Sequence, residues 1–253
     1  MNIKKIASGI VSASVVMIAC VAPAMAAPVT FADFNLRGGA ANPFTYTNSG
    51  PNSAFTVTGQ IPVTFTYQVS SLYGAAGTPI NALLSFTAQV NGPVTPAGSL
   101  PGDDVSEKVK NVTFTFRPVG LPTANLLTLS NTPVPTALGS TGKIKGTLGD
   151  TNVSLRGSTN LGDTVYYTSD YLSFASTVSR GYNFSFSSVN PVLNINQNGF
   201  FDGFNTSGTG TFSSDPAPRN PVPEPAPMAA FLIGGMGLAL VAFRGRKASR
   251  LTA

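Results

Sequence analysis

The sequence predicts an all-β protein: an antiparallel β-sandwich, jelly-roll-like, between an N-terminal signal peptide and a C-terminal single transmembrane helix. Three observations predict the β domain. Apolar residues occupy every second position along many short stretches, with Thr, Ser or Asn between them, which is the period of a half-buried strand. Turn residues punctuate these stretches, with 26 Gly and 20 Pro in 253 residues. No stretch between residues 27 and 214 sustains a helical period. Many short strands that cannot cover themselves must close as a sandwich or a barrel, and the sandwich is the form expected here.

Residues 1–26 read as a secretory signal peptide. Lys4 and Lys5 precede an apolar run from Ile6 to Val21, and Ala24 and Ala26 set a small-residue cleavage site before Ala27. Ile18, Ala19 and Cys20 resemble the end of a lipobox, but Met17 stands where Leu is usual and the Ala-x-Ala site is intact downstream. Cleavage after Ala26 by signal peptidase removes the chain's single cysteine. The exported domain then has no disulfide, although its compartment would permit one, and it depends on a hydrophobic core that its length can supply.

Residues 27–214 form the β domain. Its clearest strands are IPVTFTYQV from Ile61, ALLSFTAQV from Ala82 and NVTFTF from Asn111, each with one apolar and one Thr-rich face. The same alternation predicts strands at PVTFADFNL (from Pro28), AFTVTG (Ala54), NLLTLS (Asn125), KIKGTL (Lys143) and NVSLRG (Asn152). Towards the end of the domain it predicts them at TVYYTS (Thr164), YNFSFSSV (Tyr182), VLNIN (Val192) and GTGTFSS (Gly208). The stretches from Asn91 to Asp104 and from Ser130 to Gly142 cluster Pro and Gly and read as loops. No fixed-period repeat is present, which argues against a solenoid or propeller.

The formal charge of +5 comes from the ends of the chain. Without Lys4, Lys5, Arg244, Arg246, Lys247 and Arg250, nine basic side chains remain; without Glu224, nine acidic ones remain. A neutral domain predicts no nucleic-acid partner. The chain has no His, and its one Cys leaves with the signal, which excludes Ser-His-Asp and Cys-His catalysis and His/Cys zinc sites. Ser140 and Lys143 match a bare Ser-x-x-Lys pattern, but in a Gly-flanked loop running into a strand rather than on one helical face. A glycoside hydrolase would need two carboxyls across a cleft. Asp103, Asp104, Glu107, Asp150, Asp163, Asp170 and Asp202 are available, but nothing in the sequence pairs them, and most read as turn residues. Asp103 and Asp104, with Asp202 and Asn205, are weak calcium candidates that follow no established ligand spacing. No cofactor is expected, and the protein reads as not an enzyme.

The C-terminal end is the most specific part of the sequence. Residues 215–226 form a Pro-rich stalk containing Val222, Pro223, Glu224 and Pro225; residues 227–243 form an uncharged apolar run; and residues 244–253 carry Arg244, Arg246, Lys247 and Arg250. The run is near the minimum length for a membrane-spanning helix, and the basic cluster behind it would stay cytoplasmic. Prolines fix φ and remove backbone donors, so the stalk presents an extended segment at the membrane face. A plain single-pass anchor satisfies the same spacing. The Pro-Glu-Pro motif, apolar helix and basic cluster, in that order at the extreme C-terminus, resemble the PEP-CTERM sorting signal of exopolysaccharide-producing Gram-negative bacteria. That resemblance implies export across the inner membrane, transient anchoring there, processing by exosortase, and delivery to the cell surface or extracellular matrix, in association with exopolysaccharide or biofilm. A lectin-like glycan-binding sandwich, with or without calcium, is the alternative, and a glycoside hydrolase the remote one.

Overall fold

The computed structural model describes residues 27–38, 41–130 and 142–221. Of the expected signal peptide, sorting motif, membrane helix and basic cluster, only Ala27, after the cleavage site, is within the described residues.

Twelve strands follow one another: β1 (Val29–Leu36), β2 (Phe44–Thr47), β3 (Ala54–Val57), β4 (Ile61–Tyr67), β5 (Pro79–Val90), β6 (Asp104–Pro118), β7 (Leu127–Ser130), β8 (Gly142–Thr147), β9 (Val153–Ser158), β10 (Tyr166–Thr168), β11 (Ser179–Asn190) and β12 (Phe204–Asp215). Helical structure among the described residues is limited to 3-10 turns at Gly50–Asn52 and Thr159–Leu161, and no helix there is long and apolar enough to cross a membrane.

All the strands belong to one antiparallel sheet, in the order β1-β4-β5-β3-β2-β12-β11-β9-β8-β6-β7-β10, with further pairings of β1 with β12 and of β5 with β6. The two further pairings bring the hydrogen bonding back to its start. A circuit runs β1, β4, β5, β6, β8, β9, β11, β12 and returns to β1. At one end of the circuit β3 and β2 stand in for β4 and β1: β5 pairs with β3 near Thr87, and β12 pairs with β2 near Thr206. A sheet closed in this way leaves few unpaired edges.

Alternation places the rings inside. Every phenylalanine among the described residues is buried. Phe114 of β6 stacks on Phe184 of β11 with centroids 4.1 Å apart, and Phe34 of β1 packs 5.2 Å from both Phe116 and Phe184. Gly208 and Gly210 of β12 lie directly opposite Phe186 and Phe184. A Cβ at Gly210 would come within 2.5 Å of Phe34 Cε1 and of Phe184 Cδ1, so the glycine leaves the space that these rings fill.

The structure departs from the sequence reading in three places. VLNIN is not a strand: Leu193 is buried as a plug whose N–H bonds to Asp150 O and whose carbonyl accepts from Gly149, and Ile195 makes only a single bridge to Phe201. The four-residue β2 is too short to show a period in the sequence. β6 begins seven residues before NVTFTF, because Asn111, at φ 51°, coincides with a register shift against β5 that moves the alternation by one. In addition, Asp215 closes β12, and Arg219 exchanges backbone hydrogen bonds with Ser173 at 2.7 and 3.2 Å, so this part of the Pro-rich segment lies along the domain.

Candidate functional site

The acidic residues singled out from the sequence are dispersed into local roles. Asp103 Oδ2 accepts from the Leu100 N–H at 2.7 Å, and Asp104 Oδ1 accepts from the Thr147 hydroxyl at 2.7 Å. Asn205 Oδ1 accepts from the Thr45 hydroxyl at 2.8 Å, while Asp202 donates its N–H to Asn194 O. Asp163 and Asp170 accept from the backbone N–H groups of Ser158 and Asn125. Among the described residues, no group of three or more His, Cys, Asp or Glu side chains could hold a metal ion. Lys143 lies on β8, facing outward opposite Arg156 of β9, and Ser140 is outside the described residues.

Glu107 behaves differently. It shares the inner face of β6 with Val105 and Val109 and is completely buried. Tyr46 of β2 donates its hydroxyl to Glu107 Oε2 at 2.7 Å, while the buried Oε1 has no hydrogen-bond partner among the described residues. Burial pushes the carboxyl up to about 7, against the opposing pull of the Tyr46 hydroxyl and, after it, the Phe201 backbone. Burial, reinforced by the charge of Glu107, raises the Tyr46 phenol far above its ordinary value. Phe204 stacks on Tyr46 at 5.0 Å and Phe201 meets it edge-on at 6.1 Å. A carboxyl sealed behind aromatic rings is suited to locking β2 against β6, not to meeting a substrate. The sequence carried a signal for it, since Glu107 sits at the apolar phase of Val105-x-Glu107-x-Val109.

The outward face is where a ligand can reach. Register carries hydrogen-bonding side chains across five strands in straight rows. One row runs Asn35, Thr209, Ser185, Ser154, Lys145 through β1, β12, β11, β9 and β8. The next runs Asp33, Thr211, Asn183, Arg156, Lys143. The first row lines an open groove of about 690 Å³, to which Asp150 and Asn152 also contribute, and a second hollow of about 420 Å³ is lined by Thr211, Asn183 and Arg156 of the second row. Hydroxyls and amides of this kind both donate and accept, and a row of them can follow an extended polar chain. Outward Thr, Ser, Asn and Lys are also the reverse of the apolar band on a lipid-facing barrel.

The chain matches no protein-family model, no curated protein and no solved structure.

Proposed function

We propose that this chain is an exported, non-enzymatic surface or extracellular-matrix protein. It is sorted through the PEP-CTERM-like signal at Val222 to Pro225 and processed by exosortase, and its β domain meets exopolysaccharide. The observation that carries this reading is the pair of outward rows, because the hydroxyls and amides they set in cross-strand register, beside charged residues at row ends, suit contact with sugar hydroxyls. The finer architecture we infer is a jelly-roll-like sandwich in which the closed circuit is flattened. The stacking of Phe114 on Phe184, from strands on opposite sides of the circuit, supports two facing layers.

Fractionation of the native host tests the reading. The mature chain should appear with the extracellular polysaccharide, and replacing Pro223, Glu224 and Pro225 by Ala should hold it in the inner membrane. Retention of both proteins in the inner membrane would make the tail a plain anchor.

A lectin-like module is the second reading, favoured by one feature. Tyr73 and Tyr171 form an edge-to-face pair 5.0 Å apart on neighbouring loops, and Tyr73 is exposed. Exposed aromatic rings are suited to stacking on sugar faces. This reading expects saturable binding of a defined oligosaccharide that Tyr73→Ala and Tyr171→Ala abolish. Binding unaffected by either substitution would remove it.

A further inference from the structure

Five of the nine basic side chains left after the two termini are removed lie on one outward patch of β6, β8 and β9. Lys108, Lys143 and Arg156 stand directly opposite one another across the three strands, and all three are exposed. Lys145 follows two positions along β8 and Lys110 two positions along β6, both partly exposed. Among the described residues the only carboxylate diagonal to this set is Asp104, and it accepts its hydrogen bond from Thr147.

Folding gives no reason for the arrangement. Like charges placed directly opposite destabilise a sheet. Lysines do protect exposed sheet edges from unwanted pairing, but β8 and β9 are paired along both edges here. The domain has as many acidic as basic residues, so the cations are gathered locally and are not a by-product of high net charge.

We propose that this strip is the docking surface for an acidic polysaccharide bearing uronate carboxylates, its chain running across the strands. The proposal rests on the reading of the protein as a matrix component and names the class of polymer it would hold. Adjacent strands set the cations about 4.8 Å apart, a ladder along which successive carboxylates can be paired. The same two rows then continue from Lys145 into Ser154, Ser185 and Thr209, and from Arg156 into Asn183 and Thr211. A polymer that carries both carboxylates and hydroxyls matches a surface that passes from cations to hydroxyls and amides. Single-stranded nucleic acid, which is held by cations interleaved with aromatic stacking platforms, matches it less well, because the side chains along these rows are Lys, Arg, Ser, Thr and Asn, with Asp33 at the far end of the second, and none is aromatic.

The test measures binding of the full-length chain to polygalacturonate, with dextran and duplex DNA alongside, and compares it with the variant Lys108→Gln, Lys143→Gln, Arg156→Gln. The cations outside the domain are the same in both proteins and cannot produce a difference. Polygalacturonate should bind and dextran should not. Raising salt from about 50 to about 200 mM should weaken binding roughly tenfold, less than an equal number of contacts to the denser charge of DNA would lose. The triple variant should lose at least the same factor while melting at or above the temperature of the parent, since a repulsion has been removed. Equal binding by both proteins, no binding by either, or tighter and equally variant-sensitive binding to DNA would overturn the proposal. A correctly cut tail without polyanion binding removes this surface alone, whereas polyanion binding with an uncut tail removes the sorting reading and leaves the surface.

Discussion

Glu107 places a titratable group among aromatic rings, and the consequence has a definite sign. The folded chain holds the carboxyl proton up to about pH 7, whereas an unfolded glutamate releases it near 4.3. Between those values the folded state binds more protons, so stability falls as pH rises through the window and levels off above it. The loss is about 4 kcal/mol between its two limits. The chain has no histidine, the residue that ordinarily titrates in this range. Thermal melts at pH 5 and pH 8 should therefore show the decline, and Glu107→Gln should flatten it by raising stability at pH 8 with little change at pH 5. An unchanged slope in that variant would show that Glu107 does not hold its proton in the folded state. Gly210 makes a second prediction at this scale. Adding one methyl there presses on both Phe34 and Phe184, so Gly210→Ala should cost about 1–3 kcal/mol by denaturant titration. A change indistinguishable from zero would mean that the rings are not packed as described.

At the scale of single elements, β6 shows both what the sequence disclosed and what it hid. Long unbroken alternation was legible: IPVTFTYQV became β4 and ALLSFTAQV lies within β5, each with the expected face inward. The first half of β6 was hidden because Val105, Glu107 and Val109 run at odd positions, and Val112, Phe114 and Phe116 at even ones. A bulge changes the parity of a strand without any break in its composition. Glu107 and the β6 members of the cation ladder, Lys108 and Lys110, were concealed by the same shift, since a charged stretch left without a strand assignment does not show which of its side chains point the same way. VLNIN misled for the opposite reason: its alternation is genuine, but Leu193 is buried by a turn that plugs the domain instead of by pairing. Deleting Asn111 should force one half of β6 to turn its apolar residues outward and abolish cooperative unfolding, whereas Asn111→Gly, which keeps the positive φ, should unfold cooperatively near the parent midpoint. Cooperative unfolding of the deletion variant at the parent midpoint would show that the bulge does not set the register.

At the scale of the whole molecule, the closed sheet and its aromatic interior explain how a cysteine-free domain holds together, and its outer surface is the part that can vary with function. The interior is specified residue by residue, by rings and by the glycines that admit them. The exterior is specified by row, because cross-strand register turns scattered Thr, Ser, Asn, Lys and Arg into continuous polar lines. Such a surface suits a protein whose partner is a polymer, and the terminal segments are what would carry it to one. Intact mass spectrometry of the mature protein from its native host, with and without exosortase, tests this account most directly. The account predicts a chain that begins at Ala27 and ends near Pro223 to Pro225 only when the exosortase is present. A mass that extends to Ala253 in both strains would contradict it.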